Sequence, residues 1–195
     1  MKKLIYFFSL IVLFQSSLLA NNINELEIEG FSIGDSLLKH LSRSEILRDQ
    51  EFIYQNNKNS SNEIAVVSHT KNLKLYDQLQ ISFKTNDKKF TVVGLSAFIA
   101  YENELAACYE KQDEIFEDLV KFFGNVQSQR HNGEAENHSG YPPGEVKLKR
   151  HSIYLSKGKR SNLEILCIEA INYKDRLSVS LKSDEYNEWL YKLNK

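Results

Sequence analysis

The chain has 195 residues, of which 25 are basic and 26 acidic, and its formal net charge is -1. The two signs are interspersed, so no basic stripe points to nucleic acid as a partner and no acidic block indicates a charged tail. The length fits a single domain, and eleven Phe and ten Tyr provide material for a hydrophobic core.

The first 20 residues have the layout of a secretory signal peptide. Lys2 and Lys3 precede a mostly apolar run over 4–14, and polar and small residues follow up to Ala20. The run is too short for a membrane-spanning helix, which needs about 20 apolar residues. We therefore predict cleavage after Ala20, one mature domain over 21–195, localisation in the periplasm or outside the cell, and no stable membrane insertion after cleavage.

The mature part begins with a predicted helix from Ile33 to about Leu47. Ser32 stands at the N-cap position, and Asp35 lies where its charge favours the positive end of the helix. A stripe of apolar residues at helical spacing supports this prediction and comprises Leu37, Leu38, Leu41 and Ile46.

Three strands and a long helix are predicted next. The strands cover 63–70, 75–84 and 89–101, and the last of them is apolar on both faces, which is typical of a central strand. Gly94 marks a bulge or a close backbone approach there. The helix covers 103–123, with a charged, solvated face and a buried stripe of Leu105, Cys108, Ile115, Leu119 and Phe122.

Residues 125–145 are predicted to form a long polar loop. They include both prolines and three of the eight glycines, and they show no apolar periodicity. Three further strands are predicted over 146–156, 162–173 and 175–183, and a final amphipathic helix covers 183–195.

The predicted order of elements indicates an α+β fold. Adjacent strands joined by short turns pair antiparallel, which gives an antiparallel sheet packed with helices in the order α-βββ-α-βββ-α. The strings "DQLQISFKT" at 77–85 and "DRLSVSLKS" at 175–183 share Asp, Leu, Ser and Lys. This match favours either an internal duplication or the convergence of two half-buried strands.

Two cysteines, Cys108 and Cys167, lie in the predicted mature part. Because an exported protein meets an oxidising compartment, we predict a disulfide between them, with two buried free thiols as the alternative. A redox-active pair is disfavoured because the two residues do not form a C-x-x-C motif.

The stretch "GFSIGDSLL" at 30–38 contains two strings found at serine nucleophiles, G-x-S-x-G and GDSL. The first requires a strand, a sharp turn and a helix above a parallel sheet, which this order of elements does not provide. The second resembles the GDSL-type hydrolases and would make Ser36 the nucleophile. None of the five histidines has Asp three residues before it, and no G-x-N-D block supplies an oxyanion hole. We therefore predict no catalytic residue and keep a secreted GDSL-like serine esterase using Ser36 as the alternative.

The string "HNGEAENH" brings together four residues of types that bind metals: His131, Glu134, Glu136 and His138. A structural zinc site requires ligands held by a rigid frame, and no cysteine lies near this loop. We interpret the four as solvated loop residues and predict neither a metal nor a cofactor.

Most of the mature sequence resembles a group of small exported bacterial proteins of unknown function. The likeness rests on "IEGFSIGDSLLKHLS", "YDQLQISFK", "AFIAYENELAACYEKQDEIFEDL" and "YKDRLSVSLKSDEYNEWL". It implies no activity and no site residues. The entry to the first helix also resembles the helix-on-sheet folds of small outer-membrane assembly subunits and related inhibitor domains, which is an analogy of fold only.

The sequence therefore predicts a non-catalytic exported protein of unknown specificity, either a binding protein or an envelope-associated protein, whose partner is an envelope protein or a small ligand. We expect the sheet face or the 125–145 loop to meet that partner.

Overall fold

The computed structural model describes residues 23–52, 63–101, 104–131, 135–137, 142–155, 161–171 and 174–193. The predicted signal peptide lies outside this part of the chain and stays a prediction. Within the described ranges, no helix is both long enough and apolar enough to cross a membrane.

The strands are β1 Glu27–Ile28, β2 Phe31–Ser32, β3 Gln50–Phe52, β4 Ile64–His69, β5 Gln78–Lys84, β6 Val92–Tyr101, β7 Gln127–Gln129, β8 Glu136–Asn137, β9 Val146–Tyr154, β10 Asn162–Ala170 and β11 Asp175–Lys182. The helices are α1 Arg43–Asp49, α2 Leu105–Phe123 and α3 Asp184–Leu193. Among the described residues, a nine-stranded antiparallel sheet forms the centre of the fold, with strand order β3-β4-β5-β6-β11-β10-β9-β7 and with β8 also paired to β9. A separate hairpin joins β1 to β2.

The two predicted runs of three strands are confirmed as β4–β6 and β9–β11, and they meet where β6 pairs with β11. The α+β class and the antiparallel sheet are thus confirmed. The full predicted order is not, because five short strands, β1–β3, β7 and β8, add to it.

The main hydrophobic core lies on one face of the sheet and includes residues of α2 and of the 23–46 segment. Alternation along β5 places Leu79, Ile81 and Phe83 on this face, and all three are fully buried. The predicted disulfide between Cys108 and Cys167 is present and links α2 to β10. It fastens the helix across the second half of the sheet.

Helix α3 packs on the opposite face, at one end of the sheet. Tyr186 and Trp189 form a small second core there with Ile64 and Val93. The prediction for Gly94 is confirmed: the register shifts beside it, and a Cβ atom added to it would lie 3.2 Å from Cδ1 of Tyr186. Glycine therefore allows α3 to approach the strand closely.

The predicted first helix is wrong in its start and its N-cap. Ser32 lies in strand β2, because Glu29 and Gly30 adopt positive φ angles of 53° and 88° and form a two-residue hairpin turn. The helix begins ten residues later at Arg43, where Ser42 and Glu45 form a capping box. Only a 3-10 turn at Leu37–Lys39 lies between.

The backbone of the 34–37 segment follows the edge of β6 instead of forming a helix. The amide of Gly34 donates to the carbonyl oxygen of Val92 at 2.8 Å, and the Val92 amide donates to that of Asp35 at 2.9 Å. These long-range bonds compete with the helical bonds that the local pattern favoured. Tertiary context therefore decides the conformation of this segment.

The predicted 125–145 loop contains two short strands, β7 and β8, which both pair with β9. We call residues 127–131 and 135–137 the edge segment. Its pairing means that this part of the chain extends the sheet instead of crossing its surface.

The proposed internal duplication is not confirmed. If the two runs of three strands were copies, a twofold axis between the antiparallel strands β6 and β11 would relate them, and the helix that follows each run would lie on the same face of the sheet. The two helices concerned, α2 and α3, lie on opposite faces. The two similar strings also lie on β5 and β11, which are the second and third strands of their respective runs.

The buried stripe of α2 is confirmed at Cys108 and Leu119 but is rotated relative to the prediction. Phe116 and Phe123 are buried, whereas Phe122 is 44 % exposed. A polar residue, Gln112, lies fully buried at the centre of the stripe. Its side-chain nitrogen donates to the carbonyl oxygens of Lys149 and Ile165, both at 2.7 Å, so it fastens α2 to β9 and β10.

Candidate ligand-binding cleft

Ser36, the nucleophile of the alternative esterase hypothesis, lies at the C-terminal side of the β1–β2 hairpin. Its hydroxyl donates to the carbonyl oxygen of Lys89 at 2.7 Å, and its backbone forms an isolated bridge with Thr91. Within the described residues, no histidine nitrogen contacts this hydroxyl, and the nearby His40 packs on the ring of Phe31. The observed contacts give Ser36 a role in fixing the loop before β6.

One histidine with a carboxylate partner exists elsewhere. The Nε2 atom of His151 lies 2.6 Å from Oδ1 of Asp113, and its Nδ1 atom accepts a hydrogen bond from the backbone N–H of His131 at 3.1 Å. Because Nδ1 accepts, the proton of the neutral ring belongs on Nε2, where it is donated to Asp113. His151 is fully buried, with both nitrogens occupied, so in this geometry it has no nitrogen left to activate a nucleophile.

The carboxylate of Asp113 also contacts the guanidinium of Arg130 at 3.1 Å, and Arg130 reaches Glu117 on the same helix. Partial burial opposes ionisation of Asp113, but the hydrogen bonds from His151 and Arg130 outweigh it and hold its pKa below the ordinary value. The contacts among Asp113, Arg130 and His151 therefore join α2, the edge segment and β9. Asp113 was predicted to belong to a solvated helix face, and the structure gives it this additional connecting role.

The sheet face that carries α3 is polar over most of its width. Register places Ser96 beside Ser180, and the Ser180 hydroxyl donates to that of Ser96 at 2.9 Å. On β10, Glu164 is 7 % exposed and forms an ion pair with Lys182 of β11. A buried charged pair thus lies on the face of the sheet opposite to the main core.

Glu164 has both carboxylate oxygens occupied. Asn162 donates to Oε1 at 3.0 Å, and Lys182 donates to Oε2. Burial raises the pKa of Glu164, but the charges of Lys182 and Arg150 and the two hydrogen bonds outweigh it, so the pKa lies below the ordinary value. Asn187 of α3 donates to Asn162 at 3.0 Å, which continues the network to the helix.

A cleft of about 400 Å³ lies beside this pair, between β9, β10 and the edge segment. Nearly all of its lining is polar: Gln129, His131, Glu136, Asn137, Leu148, Arg150, Ser152, Tyr154 and Glu164. The edge segment supplies one wall, and the polar face of the sheet supplies the floor. The rigid pairing of β9 with β10 therefore fixes the side chains of the floor.

Hydrogen-bond donors that the described residues do not use lie on the floor of the cleft, and the carboxylate of Glu136 adds acceptors at its side. The guanidinium of Arg150 and the hydroxyl of Ser152 make no hydrogen bond to a described residue, although Arg150 contributes charge near Glu164. Tyr154 donates to Oε1 of Gln129 at 3.4 Å, which leaves the amide nitrogen of Gln129 as a further donor. An acceptor-rich ligand matches this surface.

A second depression, of about 450 Å³, lies beside α3. Its charged lining includes the ion pair between Lys84 and Glu185, at 2.7 Å. Because these two charges satisfy each other and the rest of the lining carries both signs, this depression presents no single chemistry to a ligand.

The residues considered as metal ligands are only partly described. His131 and Glu136 lie close together, with Nδ1 and Oε1 3.8 Å apart, whereas Glu134 and His138 lie outside the described residues. In the described part of the chain, no group of three or more His, Cys, Asp or Glu side chains is arranged to hold a metal ion.

Comparison with protein-family models, with curated proteins and with solved structures found no match to this chain. The class of protein is therefore defined by its own architecture: an α+β protein in which helices cover a single large antiparallel sheet from both faces.

Sequence reasoning missed the cleft, although two signals for it were present. Arg150, Ser152 and Tyr154 alternate along a strand predicted from 146, so they share one face. Glu164 interrupts the apolar run of the next strand, and a buried carboxylate needs a partner. Only the pairing of β9 with β10 and with the edge segment shows that these residues meet.

Proposed function

We propose that this chain is a non-catalytic binding protein of the bacterial periplasm or cell exterior, and that its polar cleft binds a small ligand carrying an oxyanion. The observation that carries the proposal is the guanidinium of Arg150, which lines a cleft between strands and makes no hydrogen bond to a described residue.

The charges of the cleft favour an anionic group next to Arg150. The carboxylate of Glu164 is paired with the ammonium of Lys182, and each of its oxygens already accepts one hydrogen bond. The side chain of Glu136, by contrast, is 71 % exposed and lies near that of His131. A carboxylate or phosphate oxygen of a ligand therefore finds its best partners at the floor, because guanidinium binds such groups in a bidentate manner.

Export is supported by the sequence and by the disulfide. Disulfides form and persist in oxidising compartments, and this one joins two cysteines that are at most 1 % exposed. The signal-like segment over 1–20 and the resemblance to small exported bacterial proteins agree with it. Membership of that group of proteins is part of the proposal.

The esterase alternative draws no support from the contacts of Ser36, because its hydroxyl donates to a backbone carbonyl oxygen. A fluorophosphonate probe tests it directly. We expect no labelling of the purified protein. Labelling that disappears in Ser36→Ala would overturn the non-catalytic part of the proposal.

The cleft is tested by titration with a matched pair of probes: an N-acetyl dipeptide with a free carboxylate, and its carboxamide. We expect the acid to perturb NMR signals of β9 and β10 and the amide to have at least tenfold weaker effect. Arg150→Gln should abolish the difference, whereas the control Arg48→Gln, on the exposed helix α1, should preserve it. Equal response to acid and amide would contradict an oxyanion site.

A further inference from the structure

We infer that protonation of His151 releases the edge segment from the sheet, so that the ligand cleft has a wall that opens in acid. The release itself follows from the contacts of His151, and its effect on ligand binding rests on the proposed function.

The key geometry is the full occupation of the buried imidazole. Nε2 donates to Asp113 and Nδ1 accepts from the amide of His131. An imidazolium carries a proton on both nitrogens and accepts no hydrogen bond. After a second proton is added at Nδ1, the Nδ1–H of His151 and the backbone N–H of His131 are two donors that face each other. The amide of His131 must therefore move away.

Charged groups of both signs lie around the ring. From α2, Asp113 contacts the ring directly, and Glu117 forms an ion pair with Arg130. From the edge segment come the guanidinium of Arg130 and the side chain of His131, which lies near Glu136. On β9 the nearest charge on the same face is Lys149, whose ammonium lies over the ring of Tyr109 at 4.9 Å.

The neighbours identified by ring contact and by strand register are uncharged. The ring of Phe116 lies 4.9 Å from the imidazole, and Ile165 is the register partner on β10. Histidine is the side chain whose charge ordinarily changes between pH 5 and 8. A comparison between pH 8 and pH 5 therefore covers this range.

The edge segment is the part of the structure that can respond. Its strand β7 has three residues, all of them exposed, and β8 has two. By contrast, β9 and β10 pair over nine residues. Because the segment carries Gln129, His131 and Glu136, its departure removes one wall of the cleft and leaves the floor intact.

Hydrogen exchange on the unliganded protein tests the release. We expect the protection factors of the His131 amide and the β7 amides, corrected for intrinsic exchange, to fall at least tenfold between pH 8 and pH 5. Amides of β5 and β6 serve as the internal control and should change less than twofold. Constant protection of the edge segment, or an equal loss in β5 and β6, would overturn the inference.

Two variants assign the effect to His151. In His151→Asn, the amide oxygen keeps an acceptor for the His131 N–H but cannot titrate, so protection should no longer depend on pH. Asp113→Asn keeps an acceptor for Nε2 and removes the charge that favours the imidazolium, so the transition should move to lower pH by at least half a unit. The Asp113 variant decides the question if the His151 variant does not fold.

These measurements use no ligand. A failed peptide titration would therefore count against the proposed function alone, and an unchanged exchange pattern would count against the acid release alone.

Discussion

Replacing Lys182 by methionine would leave the carboxylate of Glu164 buried without its cation. The two side chains are 21 % and 9 % exposed, so water can compensate only a small part of the loss. Breaking a buried pair from one side costs about 3 to 5 kcal/mol. We expect about 3 kcal/mol at pH 7, because Asn162 still donates to Glu164 and Arg150 remains nearby.

The pH dependence of this cost has a definite sign. In the native protein the pKa of Glu164 is lowered, so the pair contributes its stability above the unfolded pKa of the carboxyl group and loses it as the pH falls through the folded pKa. In Lys182→Met, burial without the cation raises that pKa. The difference in unfolding free energy between the two proteins should therefore be largest at neutral pH and shrink towards pH 3.

Urea unfolding at several pH values measures this difference, with the fluorescence of Trp189, the single tryptophan, as the signal. The double variant Glu164→Gln/Lys182→Met removes both charges and should return to within about 1 kcal/mol of the native protein. A single variant that costs less than about 1 kcal/mol at pH 7, or a double variant as unstable as the single one, would refute the reasoning.

Three further predictions concern the elements that hold α1 and α2. Gln112→Met should lower the unfolding free energy by only about 1 kcal/mol. Two hydrogen bonds are lost, but removal of the buried side-chain oxygen, which has no hydrogen-bond partner, offsets part of that loss. Gln112→Glu should cost about 3 to 5 kcal/mol at pH 8 and less in acid, where the carboxyl group is neutral; equal urea midpoints for these two variants at pH 8 would contradict the assignment. Reducing the disulfide between Cys108 and Cys167, which are 59 residues apart, should lower the unfolding free energy by about 4 kcal/mol, and an unchanged melting temperature after reduction would exclude this contribution. In thermal melts, Ser42→Ala should lower the unfolding free energy by about 1 kcal/mol and Ser32→Ala by less than about 0.5 kcal/mol. If Ser32→Ala had the larger effect, the N-cap would be Ser32, as the sequence predicted, and not Ser42.

Most strands and both long helices could be predicted from the sequence because their signals are local. Apolar residues alternate with polar ones in 75–84 and recur at helical spacing in 103–123, which indicates the side chains that face the core. The structure has β5 and α2 in these two ranges. The disulfide followed from a different argument, since the number of cysteines and the signal-like segment together indicate an oxidising compartment.

The first helix could not be placed because a local pattern and long-range bonds compete there. Ser32 and Asp35 fit an N-terminus, yet the backbone at 34–37 pairs with the beginning of β6. The sequence did contain a better start signal, Ser42 followed by Glu45 three residues later. Propensity favoured both positions, and packing against β6 selected the later one.

The polar groups inside the fold were missed for a related reason. Gln112 lies on an apolar helix stripe, and Asp113 follows it on a charged face, so neither residue stands out in a periodicity analysis. Their partners, His151 and the carbonyl oxygens of β9 and β10, are 37 to 53 residues away in the sequence. Such contacts become visible only when the register of the sheet is known.

The central claim, that the cleft beside Arg150 is the binding site, is tested most directly by mapping bound small molecules on the protein. Extracts of the bacterial envelope would be titrated into isotope-labelled protein, and amide shifts would be followed by NMR. We predict that the shifts cluster on β7, β9 and β10 and disappear in Arg150→Gln. Shifts centred on Ser36, or shifts that persist in Arg150→Gln, would contradict the account.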